Sequence, residues 1–99
     1  MKRKQLRRLV RKAAMKLDKK VEFWWTDENI SLNNLDMRFN YFCVLGQLYG
    51  SYLSYWKSDQ WKLKKLKEAF AAQDYSDKRN LQHHMMWVEE ILKRRLKND

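Results

Sequence analysis

The chain has 99 residues, of which 44% are apolar and 34% charged, with fourteen aromatic side chains and a formal net charge of +10. That length accommodates one domain with one modest core and excludes a second, and the apolar and aromatic content excludes a disordered chain. The sequence has no Pro and only Gly46 and Gly50, so a strand-rich fold would lack its usual turn residues, and the single Cys43 cannot form an internal disulfide.

The first twenty residues hold ten Lys or Arg against a single acid, Asp18. This segment carries +9 of the net charge, because residues 21–99 contain twelve basic and eleven acidic side chains. Leu6, Leu9, Val10, Ala13, Ala14, Leu17 and Val21 recur at intervals of three, four and one, which puts them on one stripe of a helix. Lys4, Arg7, Arg8, Arg11, Lys12, Lys16 and Lys19 then fall on the opposite side. The spacing predicts a helix over about residues 3–20, docked on one face and cationic on the other. Its positive flank lacks the uninterrupted apolar region of a secretory signal and the Ser of a transit peptide, so it reads as mature chain.

Val21-Glu22-Phe23-Trp24-Trp25 and the polar residues after it form a connector over 22–33 whose aromatics plug the end of the core. A second helix is expected from Ser31 or Asn34, with Asp36 in its first turn. Leu35, Phe39, Phe42, Tyr49, Leu53 and Trp56 keep a helical rhythm, with Gly46 in phase. The alternative is α+β with a hairpin around 37–56, because Met37, Phe39, Tyr41, Cys43 and Leu45 also alternate. The small series Gly46, Gly50 and Ser54 provides for close packing, within the domain or against a second copy.

Ser58-Asp59 offers a further cap, followed by a face of Leu63, Leu66 and Phe70. A last helix is expected over 77–97, with Leu81, His84, Met85, Val88, Ile91, Leu92 and Leu96 on its buried face and His83 outside. The expected fold is therefore all-α. It is one domain over 1–99: a basic helix over 1–21, the connector, one or two helices over 34–73 and the C-terminal helix, with a core built mainly from 32–72 and 80–96.

Seven cations on one helical face repel each other, so their concentration points to a polyanionic partner. Phosphates neutralised by such a face release counterions and give salt-sensitive affinity with little sequence information. The expected function is non-catalytic binding of DNA or RNA through Lys4, Arg7, Arg8, Arg11, Lys12, Lys16 and Lys19. Trp61, Lys62, Lys65, Arg94 and Arg95 are candidate secondary contacts, although cations at the end of the last helix also suit its dipole. The other Trp residues suit a small core better than base stacking.

The alternative is a small regulator or inhibitor that presents its cations to an acidic surface of a larger nucleic-acid-handling protein, as mobile genetic elements encode. A membrane is not the expected partner, because the Ala-rich stripe lacks the bulky wedge of interfacial helices. His83 and His84 point about 100° apart and have no third ligand nearby, so no metal is expected. No cofactor and no catalytic set are expected either, and the lone apolar-flanked thiol fits a reducing, cytoplasmic compartment.

Overall fold

A computed structural model describes residues 2–39, 41–51, 55, 66–70 and 77–97, and among these the fold is all-α with no strand. Helix α1 is Arg3–Lys20, α2 is Val44–Tyr49, α3 is Lys67–Phe70 and α4 is Asp77–Lys97. Helix α1 packs against both α3 and α4.

The stripe expected on α1 is its buried face: Leu6, Val10, Ala13, Ala14 and Leu17 are closed to solvent, with Leu9 and Val21 packed at its edges. The two Ala residues let neighbouring elements approach closely, and each Leu contributes about 1.5–3 kcal/mol by leaving water. The helix begins at Lys2, whose N–H donates to Gln5 Oε1 at 3.0 Å. It ends where Val21 turns extended, and Lys19 and Lys20 stand at its negative dipole end.

From Val21 to Phe39 the chain runs in turns, and of the connector aromatics Trp24 closes the core as expected, with Ile30 fully buried beside it, whereas Trp25 is half-buried and Phe23 faces outward. Phe23 adopts a left-handed φ of 56°. Its carbonyl is held by the Thr26 N–H, the Thr26 hydroxyl and the Asn29 amide at 3.2, 3.1 and 2.7 Å.

Two expectations for the middle of the chain are corrected. No helix starts at Ser31 or Asn34, and no hairpin forms among the described residues of 37–56. Asp36 serves as the hub of a local turn instead of a helix N-terminus. Its carboxylate accepts from the Arg38 backbone and guanidinium, and its N–H donates to Phe42 O at 3.1 Å. Phe39 and Phe42, assigned to a buried face, therefore point outward, while Leu35 and Met37 go in.

Helix α2 starts only at Val44, where Cys43 caps it by accepting from Gly46 N–H at 3.2 Å. Gln47 stitches α2 to the turns, accepting from Ser31 N–H at 2.7 Å and donating to the carbonyls of Ser31 and Phe42. Gly50 ends α2 at φ 94°, a conformation that costs little without a Cβ. The Ser58-Asp59 cap and Leu63 lie outside the described residues, whereas Leu66 and Phe70 are buried as the pattern requires.

Helix α4 has the expected bounds but is turned about its axis. Ile91 is buried, Val88 packs against the core and His84 is half-buried, as expected, but His83, Met86, Trp87 and Glu90 also face the core, whereas Leu81, Met85, Leu92 and Leu96 face outward. The reason is a polar joint with α3. The Ala69 carbonyl accepts from His83 Nε2 at 2.7 Å and from Trp87 Nε1 at 2.8 Å, satisfying two polar groups that hydropathy alone would send to the surface. Around this joint the Trp87 ring meets Phe70 at 5.2 Å and, edge to face, Trp24 at 6.0 Å. Helix α1 thus belongs to the core itself, beyond the expected segments 32–72 and 80–96.

Leu17→Ala should cost about 2–5 kcal/mol in urea unfolding, because a fully buried side chain leaves a cavity between α1 and its neighbours. Stability should also fall as pH drops below about 6.5. Burial pushes the His83 pKa down and the charge of His84 adds to this, outweighing the Ala69 bond that favours protonation. The unfolded chain therefore binds the proton first, so the His83 contribution is complete above the unfolded pKa and lost as pH falls toward the folded one. Thermal midpoints of wild type and His83→Gln between pH 7 and 5 would show it, the variant having the shallower slope.

Candidate nucleic-acid interface

The burial of one side of α1 fixes what its other side presents. Lys4, Arg8, Arg11, Lys12, Lys16 and Lys19 are all exposed, and none makes an ion pair among the described residues. They form a rail about 22 Å long at a rise of about 1.5 Å per residue. The methionine Met15 lies within it, 53% exposed.

The rail is built against local stability. Lys4, Arg8, Lys12 and Lys16 form an unbroken series of like charges at i, i+4, each pair costing about 0.2–0.5 kcal/mol. The first turn of α1 contains no acid, although the dipole favours one there.

Arg7 stands apart from the other six. It reaches across to α4 and bonds Glu89 Oε2 at 2.6 Å, which makes it a link between helices. Lys20 is also drawn inward, its ammonium 3.3 Å from the Tyr55 hydroxyl and 5.1 Å above that ring.

Asp18, the one carboxylate of α1, is consumed in the same way. Its Oδ1 accepts from Trp24 Nε1 and Arg94 Nε, both at 2.8 Å, and its Oδ2 accepts from Arg94 Nη2 at 2.9 Å. Partial burial would raise its pKa, but the hydrogen bonds from Arg94 and Trp24, with the guanidinium charge, together lower it. The bidentate fork spends the negative charge of Asp18 on Arg94, so it does not dilute the rail.

The same geometry corrects the two secondary contacts at the end of α4. Arg94 has a side chain only 14% exposed, donates to Glu90 O and Oε1 at 2.9 and 3.0 Å as well as to Asp18, and stacks over Trp24 at 5.6 Å. Arg95 donates to the carbonyls of Trp25 and Ile30, each at 2.7 Å, and pairs with Asp27. Both are fasteners between α4 and the connector, with no donor face turned to a phosphate. Trp61, Lys62 and Lys65 lie outside the described residues.

Elsewhere the reactive side chains are quiet. Burial pushes the Cys43 thiol pKa up, which keeps it protonated, and the His83 ring is enclosed. No group of three or more His, Cys, Asp or Glu among the described residues can hold a metal ion. An open depression of about 350 Å³, lined by Asn33, Asn34, Leu35, Asp36, Phe39 and Phe42, gathers no convergent set of acid, base and nucleophile. No family model, no curated protein and no solved structure matches this chain.

Arg94→Gln should destabilise the fold by about 2 kcal/mol in urea unfolding, since it strips partners from Asp18 and from the buried Glu90.

Proposed function

We propose that the protein is a non-catalytic nucleic-acid-binding module whose α1 rail contacts phosphates with little regard to sequence. The observation that carries this reading is six exposed cations along one face of a helix whose opposite face is locked in the core and whose single acid is turned to Arg94. A rail anchored in this way is held in place before any ligand arrives, so binding loses little conformational freedom. Long cationic side chains meeting phosphate oxygens supply affinity and orientation, while bases are read elsewhere or not at all.

The reading also covers the compartment. One buried thiol and no disulfide suit a reducing interior, where nucleic acid is at hand. No helix among the described residues is long and apolar enough to cross a membrane.

Fluorescence-polarisation titrations of single- and double-stranded DNA and RNA, at about 50 and 200 mM salt, test the proposal. Full engagement of six cations gives a slope of log affinity against log salt near −5 on duplex DNA, and each cation removed flattens it by about 0.9. The triple variant Arg8→Gln, Arg11→Gln and Lys12→Gln should weaken binding at least tenfold at low salt. It should do so about equally on unrelated sequences and with a thermal midpoint no lower than that of the wild type. Unaltered, salt-sensitive affinity in that variant would refute the rail.

A further inference from the structure

The outward face of α4 has a chemistry that neither the core nor the rail uses. Leu81, Met85, Leu92 and Leu96 follow one another at intervals of four, seven and four, a spacing that keeps them on one side of a helix. At about 100° per residue they fall within a sector of about 60°, on the side of α4 opposite His83, Met86, Trp87 and Glu90. They are 61, 46, 41 and 73% exposed, while Val88 beside them packs against the core. The stripe is about 22 Å long at the helical rise. Single exposed Leu residues are ordinary, but a continuous row rimmed by charge marks a surface that is covered in use.

The charges beside the stripe indicate the occupant. Lys78 and Lys93 are exposed beside the stripe, Lys93 while it also pairs with Glu90. Two acids of the same helix are already engaged, Glu89 with Arg7 and Glu90 with Lys93 and Arg94. A second copy would bring the same lysines and a net charge of +10 against its twin, across a strip narrower than a stable globule-to-globule interface needs. An amphipathic helix with its own apolar row and acidic residues on its margins satisfies both the leucines and the lysines.

We infer that the outward stripe of α4, from Leu81 to Leu96, is a docking ridge for an acidic-margined amphipathic helix of a partner protein. This surface is separate from the α1 rail, so the molecule presents a phosphate-binding face and a protein-binding face at once.

The test uses the full chain and two synthetic twenty-residue amphipathic peptides of one design, with Leu at i, i+4, i+7 and i+11. One carries Glu on its margins and the other Lys. The Glu peptide should bind at least tenfold more tightly than the Lys peptide by calorimetry. It should keep its affinity for the Arg8→Gln, Arg11→Gln, Lys12→Gln variant, which separates this surface from the rail. The double variant Leu81→Gln, Leu92→Gln should lose at least tenfold in affinity while its thermal midpoint stays within about 2 °C of wild type.

Equal binding of the two peptides, or none, overturns the inference. So does a marked fall of the midpoint in the double variant, which would put the stripe inside the chain's own packing. Sedimentation showing a dimer that the double variant abolishes would assign the ridge to a second copy. Stronger binding to anionic vesicles than to the Glu peptide would assign it to a lipid surface.

Discussion

Asp18 decides what α1 presents. As the one acid in a helix of nine cations, it would partly neutralise its neighbours if it had no other partner. Arg94 instead takes both of its oxygens, and Trp24 donates to one of them. The same guanidinium reaches Glu90, so one side chain ties α1, the aromatic connector and α4 together. The joint between α1, the connector and α4, and the pairing of the one acid of α1, thus meet in a single charged cluster at the carboxyl end of that helix. The Arg7–Glu89 bridge gives a second link between α1 and α4, at the start of α1.

The electrostatics of α1 are otherwise unfavourable to the fold, and hydrophobic burial outweighs them. Five side chains of the helix are sealed from water, and even the lower range of about 1.5 kcal/mol for each large one exceeds the few tenths lost to each pair of like charges. A helix with a weaker stripe would fray under that repulsion. The best-buried element can therefore carry the most charge, and a rigid display of cations requires such an anchor. Polyanion binding would relieve the repulsion that the fold tolerates in its absence.

How much of this was legible in the sequence depended on how far each element is governed by periodicity alone. Helix α1 was readable almost to the residue, because its apolar and cationic positions separate cleanly at 3.6 residues per turn. Helix α4 was readable in extent but not in orientation. It has apolar residues on two sides, and the side that wins carries His83 and Trp87, whose burial depends on the acceptor at Ala69. Partners from a different part of the chain leave no mark in a hydropathy pattern. The region from Ser31 to Phe42 failed for a related reason: the turn built by Asp36, and the stitches made by Gln47, override a rhythm that suits a helix. Arg94 and Arg95 looked like cations suited to a helix end, and nothing local revealed that they reach back more than sixty residues.

The two apolar sides of α4 bear on what the molecule does. A helix with one apolar face has one way to dock, whereas α4 has two, and the Ala69 hydrogen bonds together with the burial of Met86, Trp87 and Ile91 favour one of them. Turned about its axis by half a turn, α4 would bury Leu81, Met85, Leu92 and Leu96, but it would expose Trp87 and break the Ala69 joint. The chain gives up that leucine burial and satisfies its polar groups. Leucines held outward at that cost, in a row along one side of the helix beside lysines, are surplus to folding, and their regularity calls for an explanation outside the monomer.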